Sequence, residues 1–173
     1  ILTVAPPSAF GFLSATAAPI TVQGSRLSVP NSQTSGLIGG HLTMEKLAIL
    51  NAGEVKIQAN NITMKDKATI DTDNSAAGTI KITVTDKLVM TDLTQISSNT
   101  IAANCAGGRI DIVAHSLHMS GNRSEPSGAI ISATTRGTSM PGGEITITTD
   151  DLQMADDATI NTGGLPLTDS SGP

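Results

Sequence analysis

One short phrase recurs four times in this chain. Each copy opens with glycine, continues with an apolar–polar–apolar triplet, and closes with Leu or Ile followed two residues later by Met. The copies are Gly53–Met64, Gly78–Met90, Gly108–Met119 and Gly143–Met154. A short unit that alternates with a period of two residues cannot bury its apolar face alone, so consecutive copies must stack on one another. The pattern therefore predicts a solenoid of β-strands.

The spacing of the copies separates a constant part from a variable part. Glycine and methionine lie 11 or 12 residues apart in every copy, whereas the opening glycines are 25, 30 and 35 residues apart. The variation includes an insertion over 120–128 and long loops over 99–107 and 134–142. Each copy offers three short strands: the triplet, the Leu-x-Met segment, and a segment around Ile70, Ile96, Ile131 or Ile160. We predict an all-β fold, a right-handed parallel β-helix of the pectin-lyase-like type, with three strands per rung and rungs about 4.8 Å apart.

The predicted core consists of stacked aliphatic columns. In the copy that begins at Gly53, alternate side chains point inward: Val55, Ile57, Ile62, Met64 and Ile70. The next copy places Ile82 above Ile57 and Met90 above Met64, so the methionines form a core ladder. The composition fits a narrow core of even thickness, because 38% of the residues are hydrophobic and only 1% are aromatic. A rounded globule usually fills its centre with larger aromatic side chains.

The chain divides into three parts. Residues 51–162 carry the regular repeats, and residues 1–50 precede them with one degenerate copy at Gly40–Met44. Residues 163–173 are rich in Gly, Ser and Pro, which is typical of a flexible tail. The chain opens at Ile1 without an initiator Met or a secretory signal peptide, which indicates a fragment of a longer precursor.

Charge and composition exclude several classes of function. A net charge of −5 and the absence of a basic run argue against nucleic-acid binding. No apolar run approaches the ~20 residues that span a bilayer, so we predict that the chain is not membrane-spanning. The single cysteine, Cys105, excludes an internal disulfide, and its Asn-Cys-Ala-Gly-Gly setting favours a turn residue over a catalytic thiol. Gly-Gly pairs recur with the repeat and predict corners rather than a nucleotide cradle: residues 39–40, 107–108, 142–143 and 163–164.

Polar positions shared by the copies predict corners and surface pairs. The place two residues before the Ile or Leu of the second strand is predicted to be a left-handed corner. Its occupants are Asn60, Asp86, His115 and Asp150. His118 is predicted to face solvent, and a His-x-x-His pair without a third ligand argues against a metal site. An exposed ion pair of little energetic weight is expected between Lys81 and Asp111.

Carboxylates carry the strongest candidate chemistry. Asp66, Asp92 and Asp156 share the place two residues after Met, where the third copy has Gly121. On adjacent rungs, Asp66 and Asp92 could bind a cation or share a proton. The favoured alternative is that the aspartate caps a turn, which also explains the glycine. The residues that directly follow the Ile of the third strand form a polar ladder: Asp71, Ser97, Ser132 and Asn161. Only one of them is an acid, so the ladder cannot supply the two carboxyl groups of a glycosidase.

The N-terminal phrase Ala9–Leu13, followed by Ala18–Ser25 and Leu27–Pro30, resembles the later part of the filamentous-haemagglutinin-type secretion domain of large cyanobacterial exoproteins. The Gly-Gly-x-Ile-x-Ile units are similar to the repeats that follow that domain. The resemblance implies a two-partner secretion exoprotein that an outer-membrane β-barrel transporter exports through its secretion domain. The family's early Asn-Pro-Asn-Gly-Ile-like motifs are absent from these residues. The family has no common catalytic residues, so no catalytic, cofactor or metal site is implied.

These observations predict a non-enzymatic adhesin, secreted or held at the bacterial cell surface, with this chain as its β-helical stalk or base. Its loops or missing C-terminal regions are expected to contact a cell-surface or glycan receptor. The alternative is a polysaccharide lyase or glycosidase that uses the Asp66 and Asp92 face or the long loops. An acidic glycan would then contact Arg109, Arg123 and Arg136 near the insertion loops. Against the enzyme stands the scarcity of aromatic residues, since sugar clefts usually present aromatic platforms. A third hypothesis is a module for transporter recognition alone, within residues 1–50.

Overall fold

The computed structural model describes residues 17–72, 78–100, 105–121, 128–135 and 141–163. These residues form two parallel sheets of six strands each, and none of them is helical. The first sheet consists of Ile20–Gln23 (β1), Thr34–Glu45 (β3), Glu54–Met64 (β5), Thr79–Met90 (β7), Arg109–Ser120 (β9) and Glu144–Ala155 (β11). The second consists of Arg26–Ser28 (β2), Ile49–Asn51 (β4), Thr69–Asp71 (β6), Gln95–Ser97 (β8), Ile130–Ser132 (β10) and Thr159–Asn161 (β12).

The chain alternates between the two sheets. Each strand of the first sheet is followed by one of the second, and each sheet orders its strands as they follow along the chain. One strand of each sheet makes a coil, so β1 and β2 form coil 1, and the numbering runs to coil 6, formed by β11 and β12. The predicted all-β parallel β-helix is confirmed.

A coil contains two strands where the sequence predicts three. The triplet and the Leu-x-Met segment belong to one strand of 11 or 12 residues in coils 3 to 6. The pairing is irregular between Ala59 and Asn61 and again between Val84 and Lys87. The inward alternation changes phase there, because Ala59 and Ile62 are both buried although they are three residues apart. Backbone pairing resumes beyond the irregularity, so the two segments remain one strand.

The stacked columns that the sequence predicts are present. Ile57 pairs with Ile82, and Met64 pairs with Met90. At most 1% of each predicted inward residue is exposed to solvent: Val55, Ile57, Ile62, Met64 and Ile70. Full burial of such a side chain contributes roughly 1.5–3 kcal/mol, so the ladders are the main source of stability.

The regular coils begin earlier than the repeat pattern shows. Residues 34–51 form a complete coil, in which Met44 pairs with Met64. Ser35 takes the place of Val55 in this coil, so its first strand lacks the apolar triplet that marks the later copies. That substitution hides the coil from a search for the phrase. The two phenylalanines, Phe10 and Phe12, and the predicted tail beyond Gly163 lie outside the described residues.

Left-handed backbone occurs at the corners between a long strand and the following short strand in the described part of coils 1 to 4 and coil 6. Four corners place two consecutive non-glycine residues at φ between 48° and 63°: Lys46–Leu47, Asp66–Lys67, Asp92–Leu93 and Asp156–Asp157. The corners of neighbouring coils are bonded to one another, since the Leu47 amide donates to the Asp66 carbonyl at 2.9 Å and the Lys67 amide to the Asp92 carbonyl at 3.0 Å. The corners therefore stack as regularly as the strands do.

The Gly-Gly pairs permit close contact between segments. A Cβ on Gly108 would lie 1.8 Å from the Ser98 hydroxyl oxygen and 2.6 Å from the Gly78 carbonyl oxygen. Gly39 and Gly40 lie inside β3, and the described glycine with positive φ is Gly24. The predicted corner role is therefore wrong for Gly39 and Gly40, whereas the pairs at 107–108 and 142–143 lie in the connections that lead into β9 and β11. Gly164 falls outside the described residues.

Candidate functional site

The aspartates that follow the methionines are turn residues. Asp66 and Asp92 are the first left-handed residues of their corners, with φ of 54° and 56°. The Asp92 carboxylate accepts a hydrogen bond from the Thr91 hydroxyl at 3.0 Å. The φ values confirm that both aspartates lie in turns. Capping of the turn by the aspartate side chain stays a prediction. Glycine occurs at the equivalent position of coil 5, residue 121, for a different reason. A Cβ there would lie 2.0 Å from the Asp156 carbonyl oxygen.

The predicted corner two residues before the second apolar segment is wrong. Its four residues lie inside the long strands, and none has positive φ: Asn60, Asp86, His115 and Asp150. They coincide with the irregularity at which the inward alternation changes phase. An extended strand absorbs the extra residue there, so a left-handed turn is not needed.

Two histidines of β9 each contact an aspartate of β11. His115 Nδ1 lies 2.9 Å from a carboxylate oxygen of Asp150, and His118 Nε2 lies 3.1 Å from one of Asp151. The His115 and Asp150 side chains are 62% and 81% exposed, so their pairing is screened by water and contributes little. No group of three or more His, Cys, Asp or Glu suited to a metal ion occurs within the described part of the chain.

The predicted polar ladder of the second sheet is present. Parallel pairing stacks its four residues in register, namely Asp71, Ser97, Ser132 and Asn161. Asn51 of the preceding coil pairs with Asp71 and extends the ladder by one residue. The Asn51 side-chain amide donates a hydrogen bond to the Asp71 carboxylate. The one acid of this ladder is therefore held by an amide of the preceding coil.

Buried hydroxyl groups form a seam next to this ladder. Thr72 donates to the Ser98 hydroxyl at 2.7 Å, and Ser98 donates to the Gly78 carbonyl at 2.9 Å. Thr72 and Ser98 are both fully buried. Their bonds fix the start of the long strands, because buried polar groups require partners. The seam is structural.

Cys105 lies in a bend and forms no disulfide. Its carbonyl oxygen accepts a hydrogen bond from the Thr135 hydroxyl at 2.9 Å. Its position in a bend agrees with the predicted turn residue.

The predicted Lys81–Asp111 ion pair is wrong. The two residues are opposite each other on β7 and β9, but the Asp111 carboxylate binds Arg109 of its own strand at 2.9 Å. This bond is the main reason that the pKa of Arg109 is raised. A guanidinium nitrogen of Arg109 also lies 2.8 Å from Glu144, so Arg109 is already occupied by two carboxylates. The other arginines of the expected glycan contact, Arg123 and Arg136, lie outside the described residues.

A shallow groove of about 540 Å³ crosses the outward face of the first sheet at coils 2 to 4. Its lining comes from three consecutive strands, β3, β5 and β7: Thr34, Gly36, Ile38, Lys56, Ile57, Gln58, Lys81 and Thr83. Gly36, Lys56 and Lys81 stack in one column. Gly36 has no side chain where the next two coils carry lysine, and a Cβ there would meet nothing within 4 Å. The missing side chain opens the groove.

One carboxylate lies beside the two lysines of the groove. The Thr34 hydroxyl donates to Glu54 at 2.7 Å, and Lys56 Nζ lies 3.0 Å from the other carboxylate oxygen. The hydrogen bond from Thr34, and then that from Lys56, holds the pKa of Glu54 below its usual value. Lys81 adds a second positive charge. The rim of the groove thus carries two ammonium groups and one carboxylate.

The groove is the feature that sequence reasoning misses. Its first strand belongs to the coil that lacks the apolar triplet, so Gly36 is not aligned with Lys56 and Lys81 in the sequence. Alignment of Met44 with Met64 and counting back along both strands would have placed Gly36 in that column.

The described part of the chain contains no helix with the length and apolar content needed to cross a bilayer. No family model, characterised protein or solved structure matches this sequence. Function must therefore be argued from the fold and from the groove.

Proposed function

We propose that this chain is part of the stalk of a non-enzymatic, haemagglutinin-like adhesin, secreted or held at the bacterial cell surface. The observation that supports the proposal most is the stacking of six consecutive coils, whose core columns stay in register. The column that begins at Val22 continues through a methionine in each later coil. A rod of this kind places its outward faces and loops at a distance from its base.

The stacking also suits export through an outer-membrane β-barrel transporter. Every strand pairs with the preceding or following coil, so a coil can fold once its neighbour has emerged. The single cysteine leaves no internal disulfide to lock an extended chain in transit. The resemblance to filamentous-haemagglutinin-type exoproteins names the transporter as the partner. The proposed receptor of the adhesin is a cell-surface or glycan ligand. Nucleic acid is not a proposed partner, because the net negative charge of the chain repels its phosphate backbone.

Export is tested by placing residues 17–163 behind the secretion domain of a filamentous-haemagglutinin-type exoprotein, co-expressed with its transporter. We expect the fusion outside the cell in a folded, protease-resistant form. The matched control replaces Leu88 and Met90, both fully buried, with aspartate. This variant should be exported but degraded, because the ladder cannot form. Retention of the original fusion in the periplasm would contradict the proposed route.

Enzymatic activity is tested separately. Purified protein is incubated with pectate, alginate and neutral glycans in the presence of Ca²⁺, and new chain ends are measured. We expect no turnover above that of a mock purification. Turnover that Asp66→Asn or Asp92→Asn abolishes would replace the adhesin proposal with a polysaccharide lyase or glycosidase.

A further inference from the structure

We propose that the groove formed by coils 2 to 4 binds a uronic-acid unit of an acidic glycan. The inference rests on the proposed adhesin function and assigns a ligand class to it. The groove meets three requirements of such a ligand: an apolar surface, neutral hydrogen-bonding groups, and positive charge.

The apolar requirement is met by Ile38. It lies on the outward face of β3, and 37% of its surface is exposed. Gly36, two residues earlier on the same face, leaves the space beside it open. The C–H face of a pyranose ring can cover Ile38 there, which removes apolar surface of both partners from water.

The neutral groups come from the column that contains Ile38. Gln58 and Thr83 occupy the same outward place on the next two coils. Their amide and hydroxyl groups both donate and accept hydrogen bonds, as sugar hydroxyls do. Consecutive coils are about 4.8 Å apart, so these groups are spaced along the length of one pyranose ring.

The charge comes from the neighbouring column. Lys56 is bound to Glu54 at 3.0 Å, whereas none of the ion pairs among the described residues includes Lys81. Two stacked ammonium groups repel each other, and one carboxylate compensates only one of them. A ligand carboxylate between Lys56 and Lys81 supplies the missing negative charge. A neutral sugar supplies none, so the groove favours the acid.

The experiment measures binding of a short oligogalacturonate to the full chain by calorimetry, and of a neutral oligosaccharide of equal length. We expect the acid to bind at least tenfold more tightly, a difference of about 1.4 kcal/mol. Binding of the acid should weaken as salt is added, because exposed charges are screened. Equal affinity for the two ligands would overturn the proposal.

Substitutions locate the site. A Cβ at position 36 meets nothing within 4 Å, so the strand accepts a side chain there. Gly36→Gln places a long side chain in the groove and should abolish binding, whereas Gly36→Ala should reduce it only partly. Lys81→Gln should weaken binding about tenfold. Lys87→Gln is the matched control, since it removes the same charge from the same strand outside the groove.

The outcomes separate this inference from the adhesin proposal. If Gly36→Gln binds the acid as tightly as the unaltered chain does, the groove is not the site and the inference fails. If a poly-glutamate peptide competes as well as the oligogalacturonate does, the ligand is an acidic peptide, and the inference also fails. Neither result affects export, which is measured without ligand.

Discussion

Coil 4 and coil 6 contain the same phrase in different surroundings. Leu88 in coil 4 and Leu152 in coil 6 both pair with Leu117 of coil 5, from opposite sides. Leu88 is fully buried, whereas 46% of Leu152 is exposed. The comparison shows that stacking on both sides, and not the phrase itself, turns an inward position into core.

Among the described residues, β11 of coil 6 is bonded on one side alone, to β9. No strand lies beyond β11 among the described residues. Carboxylates lie on this edge and at the corner that follows it: Asp150, Asp151, Asp156 and Asp157. Charged residues on an edge discourage pairing with another chain. Coil 6 therefore combines an apolar inward face with an acidic edge, whereas coil 4 is bonded on both sides.

The largest expected difference concerns the leucine column. Leu88→Ala should lower the free energy of unfolding by about 3 kcal/mol, because a fully buried leucine leaves a cavity. Leu152→Ala should lower it by less than about 1 kcal/mol, since its side chain is already half in water. Urea denaturation followed by circular dichroism measures both. Equal losses in the free energy of unfolding would contradict the comparison, because they would show that Leu152 is as deeply buried as Leu88.

Strain at a described corner should depend on the residue type and not on the position of the coil in the stack. Leu47 and Asp157 are each the second left-handed residue of a corner, with φ of 63° and 62°. Leucine is strained in this region and Leu47 is 64% exposed, so Leu47→Gly should stabilise the chain by about 0.5–1 kcal/mol. Asp157→Gly should change stability by no more than a few tenths of a kcal/mol, because aspartate tolerates this geometry. A larger gain in stability from Asp157→Gly than from Leu47→Gly would indicate that the strain depends on the position of the coil in the stack.

The smallest expected effect is the pH dependence due to Glu54. Its folded-state pKa lies below the ordinary value of 4.5, chiefly because Thr34 donates a hydrogen bond to it. The stability it contributes is therefore present above pH 4.5 and is lost as the pH falls through the lower folded-state pKa. Urea denaturation at neutral pH and at about pH 3 measures the difference in free energy of unfolding between the unaltered chain and Glu54→Gln. We expect this difference to be smaller at the lower pH, by less than about 1 kcal/mol.

Asp86→Asn is the control for this effect. Asp86 is an exposed carboxylate on the adjacent β7 and forms none of the described ion pairs. An equal change at Asp86 would assign the pH dependence to general surface charge and not to the bonds of Glu54.

The sequence predicts the columns because burial imposes a period on the residues. Ile57, Ile82 and Ile112 recur at one place since each packs on the next, and the phrase makes this visible. It does not predict that the triplet and the Leu-x-Met segment join into one strand. That outcome depends on how the backbone passes the irregular position near Asn60, and residue type does not determine it.

The outward face is less predictable for a related reason. Solvent accepts many residue types, so an outward position has no required pattern. The pairing of Asp111 with Arg109 in place of Lys81 depends on side-chain reach within a strand, which register alone does not fix. The groove depends on the absence of a side chain at Gly36, in a coil whose own phrase is degenerate. The partner of Asp111 is visible only in the structure, whereas the place of Gly36 follows from the sequence once Met44 is aligned with Met64.

The central claim, that equivalent residues of consecutive coils lie in register, is tested by disulfide trapping in a Cys105→Ser background. Cysteines at Lys81 and Asp111 face each other on adjacent strands about 4.8 Å apart, within disulfide range. Cysteines at Lys81 and Val113 are offset by two residues, about 8 Å, which is too far. We predict that mild oxidation closes the first pair within one chain and leaves the second pair reduced. Equal closure of both pairs, or closure of the offset pair alone, would contradict the register.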